Sequence, residues 1–535
     1  MMVSIRLWAL MVASSLAISS ATSPEGFGPT LDSARENGPQ IFNGLHDAMR
    51  EFGSALHHNG MSLFPAVIPE GVLLYHGTHT AEVPKSYEWL AFEIEHAEGF
   101  SRSRVKRPNS TDGDQFLHPL ILANDISQKE PPRLPPPWDQ PGHLHIYQAE
   151  RPLNVLYIDG TAAGKTDMGT CDTQDILLTG NKSRVAFDDW GRARDLCTLG
   201  QEWKVDGFIR MEPGFEVIYC DFTDGLRLLS TYQVPFVDEP GYMENLSIVV
   251  FEWARAAAQR YNGIGSSRVI LDYSSLFSAF FYPINFTNPD PERPELPRLT
   301  AATSEEIDIM REDVAALVAR SKSQEREPIN WQGVTDMIVT RYATRLPLIA
   351  QADSMGVAKS EINTLLNIYI DYAEKDDGFA AAQQRCAEFY LRPVRTHTPE
   401  DKLLYAAIES TAATICTTLF KARQLIVEES DTDEPTALRS AQKLVSDLIE
   451  MLRWSDWKEC GRCQPNELCM VAMWPMGNVE DHYNPSCVNY SAVIGRNNYW
   501  WGAGRVPGHK PPPLSFACAD REACREHDDL GNEEL

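Results

Sequence analysis

The proline-rich stretch NPDPERPELPR, residues 288–298, constrains the fold most, because the hydrophobic period of the chain differs on its two sides. Proline fixes φ and lacks an amide hydrogen, so this stretch cannot continue a helix or form a central strand. Before it, short runs of branched and aromatic residues alternate with turn residues, whereas after it apolar residues recur every three or four positions. The sequence therefore predicts an α+β protein whose two halves meet near residue 299.

The first half contains five runs with the composition of β-strands. These runs are GVLLYHG, HLHIYQA, LNVLYID, VDGFIRM and FEVIYCDF. A second proline-rich stretch, KEPPRLPPPWDQPG at 129–142, predicts a loop between them. We assign residues 22–240 to a mixed, β-rich domain and residues 241–299 to a connecting segment that ends in the proline-rich linker.

The second half has the period of amphipathic helices. Thr303 and Glu306 form a capping-box pattern ahead of an apolar stripe that starts at Ile307. Thr398 followed by Pro399 predicts another helix start. Further stripes in the same segment predict an α-helical bundle over residues 300–455.

The cysteines predict a disulfide-rich C-terminal segment, residues 456–535. The chain has 11 cysteines, and six of them crowd this tail: Cys460, Cys463, Cys469, Cys487, Cys518 and Cys524. In an exported chain such a cluster indicates a disulfide framework. The alternative is a zinc site built on Cys460 and Cys463. The odd total leaves one free thiol, for which we name Cys220.

The N-terminus predicts export from the cell. Arg6 precedes the apolar run LWALMVASSLAI and then small residues, which is typical of a signal peptide over residues 1–21. We find no later segment with the length of a membrane span, so a secreted, extracellular glycoprotein is expected. Five glycosylation sequons agree with this: Asn109, Asn181, Asn245, Asn285 and Asn489.

The net charge of -27 makes nucleic acid an improbable partner, because such partners need a basic face. One basic island breaks the pattern, formed by Arg102, Arg104, Lys106 and Arg107. It is a solvated loop, an anion-steering patch or a processing site, and the sequence leaves these three open. The sequence does not determine the oligomeric state either.

Two motifs resemble a phosphate-binding loop and a metal site, but neither has the spacing that such a site requires. DGTAAGKTDMGT at 159–170 resembles a phosphate-binding loop, but three residues, not four, separate Gly160 from Gly164 and Lys165. His143 and His145 share a strand face, yet no carboxylate or third histidine follows at a spacing typical of metal ligands. We assign no metal ligands.

The segment LLYHGT resembles the first strand of the ADP-ribosyltransferase fold. In that family the strand ends in His-Gly, so the resemblance implies that His76 binds a ribose of NAD and that the Gly77 backbone binds the nicotinamide amide. EWLAFEIEHAEGF resembles the second motif, with Ala97 and Phe100 on the helix and Trp89 where the family has tyrosine. GFEVIYCDF resembles the third motif and offers Glu216.

Together these motifs imply chemistry on NAD, which would be a substrate rather than a tightly bound cofactor. A carboxylate such as Glu216 stabilises an oxocarbenium-like transition state, and aromatic rings such as Tyr75, Trp89 and Phe100 hold the nicotinamide. The resemblance therefore implies that His76 and Glu216 are catalytic and line one cleft, with a protein or water as acceptor. The position two before Glu216 lacks the acidic residue or glutamine of arginine-modifying members.

Over most of its length the chain also resembles a family of uncharacterised secreted fungal proteins, through YHG, WLAF, VLYIDG and GFEVIYCDF in that order. This resemblance carries no activity. Two hypotheses follow: an NAD-using transferase or glycohydrolase, or a non-catalytic secreted or cell-surface interaction protein that keeps the fold. A third class is a glycan hydrolase, for which the only support in the sequence is the presence of carboxylate residues without a specific motif.

Overall fold

In a computed structural model of the chain, the described residues are 26–101, 141–166, 168–185, 188–234, 246–260, 263–264, 267–291, 293–322, 329–373, 378–428, 434–474 and 476–494. The signal peptide, the basic island after Phe100, Asn109, Asn245, Cys518 and Cys524 lie outside them. The statements below concern the described residues.

The β-rich half is built on one large mixed sheet. Its strands are β1 (Ser62–Ile68), β2 (Leu73–Thr78), β3 (Glu88–Ala91), β4 (His143–Ala149), β5 (Leu153–Ile158), β6 (Gly207–Glu212), β7 (Gly214–Tyr219), β8 (Leu226–Gln233), β9 (Ile270–Leu271) and β10 (Phe277–Ser278). The strand order is β10-β1-β5-β6-β7-β3-β2-β4-β8, and β9 pairs with β1. All neighbours are antiparallel except β5 and β6. A second sheet joins β11 (Glu467–Met470) to β12 (Ser486–Asn489).

The helices precede, interrupt and follow the sheet. They are α1 (Leu31–Glu36), α2 (Gly38–His46), α3 (Glu51–Leu56), α4 (Ile94–Phe100), α5 (Asp189–Trp203), α6 (Leu246–Arg255), α7 (Ser304–Ser321), α8 (Trp331–Tyr342), α9 (Arg345–Ala350), α10 (Met355–Leu366), α11 (Gly378–Glu388), α12 (Pro399–Arg423), α13 (Glu434–Leu452), α14 (Val479–Tyr483) and α15 (Tyr490–Ile494). A π-helical turn, Thr173–Leu178, lies between β5 and α5.

The mixed α+β composition and the helical second half are confirmed. The Thr303 side chain accepts from the amide of Glu306, and the Thr398 side chain accepts from the amide of Asp401, so both predicted helix starts carry complete capping boxes. The structure adds one relationship that the sequence did not predict: α1 and α2 pack against α12. One apolar core therefore extends from Ala34 near the N-terminus to Met473.

One helix qualifies the expectation about membrane spans. Pro399–Val427 is long and apolar enough, by length and composition, to cross a bilayer. Of its most apolar window 61% is buried inside the protein, as in the central helix of a soluble bundle. The segment is therefore only weak evidence for a span.

Disulfides are present as predicted, with one correction. The bonds are Cys197–Cys220, Cys386–Cys416, Cys460–Cys469 and Cys463–Cys487. The last two use Cys460 and Cys463, so these residues have no thiolates left for zinc. Cys220 is bonded because β7 ends next to α5, and the free thiol in the described part of the chain is the buried Cys171.

Candidate functional site

Glu216 lies in a cross-strand row at the centre of the sheet. The register pairs Tyr75 of β2 with Ala91 of β3, Ala91 with Glu216 of β7, and Glu216 with Arg210 of β6. Directly paired residues share one face of a sheet. Tyr75, Ala91, Glu216 and Arg210 therefore lie on the same face, which we call the Glu216 face.

His76 points to the opposite face. Successive side chains of a strand alternate, so the neighbour of Tyr75 cannot share its face. The His76 ring packs on Phe222 and His145, with centroids 5.4 and 5.8 Å away. Its Nδ1 lies 2.8 Å from the carbonyl oxygen of Trp89, and since a carbonyl only accepts, Nδ1 carries the hydrogen. Burial lowers the pKa of His76 to about 4, which keeps the ring neutral.

The structure therefore does not bring the two expected catalytic groups together. His76 and Glu216 lie on strands separated by β3 and face opposite sides of the sheet. The sequence motifs predicted the strands that carry the two residues. The face to which each side chain points depends on how β3 pairs with β2 and β7.

The other expected NAD contacts lie on the Glu216 face or above it. Tyr75 packs with Ala91, Ala97 and other apolar side chains. Trp89 meets Trp190 of α5 edge to face at 4.7 Å between centroids. The Phe100 ring lies 5.7 Å from the ring of His96. These aromatic rings pack against protein groups.

Helix α4 covers the backbone of Gly77. A Cβ built on Gly77 would overlap the carbonyl oxygen of Ala97 and lie 2.8 Å from the amide nitrogen of Ser101. Such close approach of two backbones requires glycine. The surface over Gly77, where the resemblance places the nicotinamide, is thus filled by the helix.

The Glu216 carboxylate is engaged by a buried arginine. Nε of Arg210 donates to Glu216 Oε1 at 2.7 Å, and Nη2 of Arg210 donates to Asp189 Oδ2 at 2.7 Å. The third contact of this guanidinium is the side-chain oxygen of Gln174 at 3.2 Å. Arg210 is fully buried and Glu216 is 4% exposed, so the carboxylate is bound within the protein interior.

A second ion pair extends the network toward α4. Lys165 Nζ donates to Glu212 Oε2 at 2.6 Å and lies 3.5 Å from Asp189. It also sits 4.1 Å from the ring centroid of Trp474, a cation–π distance. Nε2 of His96 lies 3.3 Å from Glu212 Oε1. Lys165 is therefore held by carboxylates and a ring inside the protein, which agrees with setting aside the phosphate-loop resemblance.

Helix α5 and the π-helical turn close the network on its other side. Arg192 is fully buried, and its Nε and Nη2 both donate to the Asp175 carboxylate at 2.8 Å. Its Nη1 donates to Asp189 at 3.0 Å. We call the whole set the buried charge cluster; its members are His96, Lys165, Asp175, Asp189, Arg192, Arg210, Glu212 and Glu216.

The charge states follow from competition between burial and partners. Burial disfavours a charged carboxylate at Asp189 and Glu212, but the adjacent cations outweigh it and lower both pKa values. Burial and the neighbouring Glu212 charge raise the pKa of Glu216. Burial disfavours a charged His96 as well, yet the hydrogen bond to Glu212 raises its pKa.

The sequence analysis predicted Glu216 as a site residue but did not predict the other members of the buried charge cluster. One signal was present: the hairpin GFIRMEPGFEVIY places Arg210, Glu212 and Glu216 in strands whose other members are apolar. These three residues occupy alternate positions, so they lie on one face of the hairpin. Charged side chains buried on such a face need charged or hydrogen-bonding partners. The partners Asp189 and Lys165 come from a helix and a loop, which no local pattern connects to the hairpin.

The described part of the chain contains a histidine and carboxylate group that could hold a metal. Ligand atoms of His96, Glu212 and Glu216 lie within 4.8 Å of one another. Lys165 and Arg210 already occupy the Glu212 and Glu216 oxygens named above. A cation at this position would have to compete with both.

Comparisons with known proteins place the chain near two fungal proteins. The family model described as the YPL277C N-terminal domain matches residues 30–121 and 109–243. The uncharacterized protein YOR389W of Saccharomyces cerevisiae is 28% identical and aligns over 83% of each chain. The uncharacterized protein YPL277C of the same yeast is 35% identical over 37% of this chain and 44% of its own length. No solved structure gives a significant match.

These similarities support a relationship to an uncharacterised fungal protein family, as the sequence motifs indicated. The family-model match covers the β-rich half, including β2, β3 and β7. The alignment with YOR389W extends beyond that half into the helical part. Neither the name of the family nor the names of the two yeast proteins state an activity.

Proposed function

We propose that the chain is an exported, glycosylated interaction protein whose β-rich half resembles the ADP-ribosyltransferase arrangement without catalysing that reaction. The observation that carries this proposal is the placement of His76 and Glu216 on opposite faces of the sheet. A single bound NAD contacts both motifs in the resemblance. Here the two side chains cannot meet one substrate.

Two further contacts support the same conclusion. The Ala97 carbonyl lies over Gly77, so a flat nicotinamide has no space there unless α4 moves. Arg210 binds the Glu216 carboxylate, so that group is already neutralised by a partner. Catalysis by Glu216 would require both contacts to open.

Export is supported by independent features. The N-terminal apolar segment suits export. Among the described residues, the disulfides and the exposed sequon asparagines Asn285 and Asn489 suit an oxidising secretory route. We place the interaction surface on the helical half. Large exposed apolar side chains recur there: Met337, Leu348, Val357, Ile368, Tyr372, Phe379 and Phe389.

A second candidate function is an NAD glycohydrolase or transferase. It is favoured by the strand order β7-β3-β2, which puts Tyr75, Ala91 and Glu216 in one row with Trp89 on the same face. In that case Glu216 would stabilise the positive charge that develops on the ribose. His76 would have no direct part.

The two functions are separated by incubating the purified full-length protein with NAD and measuring free nicotinamide. The expected result is release no faster than with heat-inactivated protein. Release that persists in His76→Ala and disappears in Glu216→Gln would overturn the non-catalytic proposal and establish the second candidate. The folding of both variants is checked by circular dichroism.

A further inference from the structure

Two disulfides of the C-terminal segment lie against each other. Cys460–Cys469 and Cys463–Cys487 both join the loop that holds Cys460 and Cys463 to the hairpin of β11 and β12. The sulfur atoms of Cys460, Cys463 and Cys487 lie within 4.8 Å of one another, although they belong to two different bonds. We propose that these four residues, which we call the tail cysteine cluster, form a thiol–disulfide exchange site that accepts a small thiol.

The fold allows the tail cysteine cluster a second pairing. Cys469 and Cys487 are direct partners across β11 and β12. Residues paired in this way have Cα atoms about 4.5–5.5 Å apart, within the roughly 4.4–6.8 Å that a disulfide spans. The sulfurs of Cys460 and Cys463 are already neighbours. The bonds Cys460–Cys463 and Cys469–Cys487 can therefore replace the two bonds of the structure through local movement of the loop and the side chains.

A thiol can reach the cluster from solvent. Cys460, Cys463 and Cys469 are each partly exposed and line one cavity of about 760 Å³, a volume that suits a small molecule. By contrast, Cys386 and Cys416 are only 2% and 1% exposed. Access of the attacking thiol governs the rate of exchange, so the tail cysteine cluster should react well before the Cys386–Cys416 bond.

One hydrogen bond favours attack on Cys460. The amide of Cys460 donates to Sγ of Cys469 at 3.1 Å. A hydrogen bond to the charged form of a group stabilises that form, so this amide stabilises Cys469 as a thiolate. A more stable leaving thiolate departs faster in thiol–disulfide exchange. The structure therefore prepares Cys469 to leave when a thiol attacks its partner.

The exchange balances in three steps. The incoming thiolate attacks Sγ of Cys460, which forms a mixed disulfide and releases Cys469 as a thiolate. Cys469 then attacks Sγ of Cys487 across the hairpin and displaces the Cys463 thiolate. Cys463 attacks Sγ of Cys460, forms the Cys460–Cys463 bond and releases the incoming thiolate unchanged. Two disulfides break and two form, so no oxidant or reductant is consumed.

The second pairing would change the cavity. In the structure both bonds hold the loop to the hairpin, whereas after exchange one bond lies within the loop and the other within the hairpin. Gly461, Arg462 and Gln464 of this loop line the cavity. They would lose the disulfide links that hold them against the hairpin, so a small thiol would control the shape of the cavity.

The test is disulfide mapping of the unmodified full-length protein after incubation with glutathione in the absence of oxygen, followed by acid quenching. Trypsin and a glutamyl endopeptidase together place the four cysteines on separate peptides. The cleavage sites that separate them are Glu459, Arg462, Glu467 and Glu480. Each pairing therefore gives its own set of linked peptides.

We expect a mixed disulfide on Cys460 and then the pairs Cys460–Cys463 and Cys469–Cys487. These species should appear at least about tenfold faster than any exchange at Cys386–Cys416, because that bond is buried. Retention of both original bonds, or equal rates at the cluster and at Cys386–Cys416, would overturn the proposal.

A paired variant tests whether the second pairing is available. Cys460→Ser combined with Cys463→Ser leaves Cys469 and Cys487, which should form the cross-strand bond on air oxidation and resist alkylation. Free thiols at both positions in a variant with the circular dichroism of wild type would overturn the proposal. If the variant does not fold, the map of the unmodified protein decides. Neither measurement involves NAD, so this proposal can fail while the proposed function stands.

Discussion

The guanidinium of Arg210 and the carboxylate of Glu216 are direct cross-strand partners, 2.7 Å apart and almost entirely removed from solvent. The ion pair binds the carboxylate that the sequence resemblance would assign to catalysis. Asp189 shares the same guanidinium, so the pair belongs to the buried charge cluster rather than to an open cleft. Its first role is to satisfy charges that the fold has buried.

Removing the arginine should therefore destabilise the fold. Arg210→Met leaves the Glu216 and Asp189 carboxylates buried without this partner, and breaking one side of a buried pair destabilises proteins by about 3–5 kcal/mol. Urea denaturation followed by circular dichroism measures the change. The control is Arg227→Met, because Arg227 is exposed and lies 3.9 Å from Glu150; a change within about 1 kcal/mol is expected there. Equal losses in both variants would contradict this account of the cluster.

The contact between α4 and β2 predicts a strong effect of a single methyl group. Gly77→Ala would drive a Cβ into the Ala97 carbonyl, and overpacking of this kind destabilises by about 1–3 kcal/mol. Gly99→Ala on α4 meets no atom within 4 Å and should be neutral or stabilise by up to about 1 kcal/mol. Thermal melts of the two variants check this contrast. A stable Gly77→Ala protein would indicate that the helix does not cover Gly77.

His46 predicts a pH dependence of stability. Burial disfavours the charged ring, but the hydrogen bonds that the ring donates to Asp336 and Asp456 outweigh it and raise the pKa of His46 from 6.5 to about 9. Since the folded-state pKa is raised, the stabilisation is complete below the unfolded value and is lost as pH rises through the folded value. These contacts tie α2 to α8 and to the turn Ser455–Trp457.

The variant His46→Gln isolates this contribution. At about pH 6 it should be less stable than wild type by about 1–2 kcal/mol, a figure reduced for the partly exposed aspartates, and at about pH 10 the difference should largely vanish. Urea denaturation at the two pH values measures it. A difference that is constant with pH would show that His46 stays neutral.

Exposed sequons predict glycans at particular positions. Asn285 and Asn489 are exposed, so protein isolated from the secretory pathway should carry glycans at both. Glycosidase treatment followed by peptide mass spectrometry reads the sites. Asn484 is the internal control, because Pro485 blocks its Asn-Pro-Ser sequence. Unmodified Asn285 and Asn489 in protein from a eukaryotic secretory host would argue against export.

Local chemistry made much of the architecture predictable. The five runs rich in branched and aromatic residues all form strands, namely β2, β4, β5, β6 and β7. Capping boxes at Thr303 and Thr398 set the starts of α7 and α12, because the side-chain oxygen and the free amides lie within one turn. Such features depend on neighbours in the sequence.

Features that depend on distant neighbours were not predictable. Whether His76 and Glu216 share a face depends on the register of β3 between them, which neither motif encodes. The Cys197–Cys220 bond joins α5 to the end of β7, and cysteine spacing cannot reveal it. The cluster residues Lys165 and Asp189 likewise acquire their partners only when loop and helix reach the sheet.

The central claim is that His76 and Glu216 occupy opposite faces of the sheet, and a double-mutant cycle on folding stability tests it most directly. The two residues lie on β2 and β7, which β3 separates, so they are about 10 Å apart across the sheet and point to opposite faces. We predict that His76→Ala and Glu216→Gln add to within about 0.5 kcal/mol, whereas Glu216→Gln and Arg210→Met couple by 1 kcal/mol or more, on the order seen for contacting pairs. Coupling between His76 and Glu216 as large as that between Arg210 and Glu216 would contradict the account.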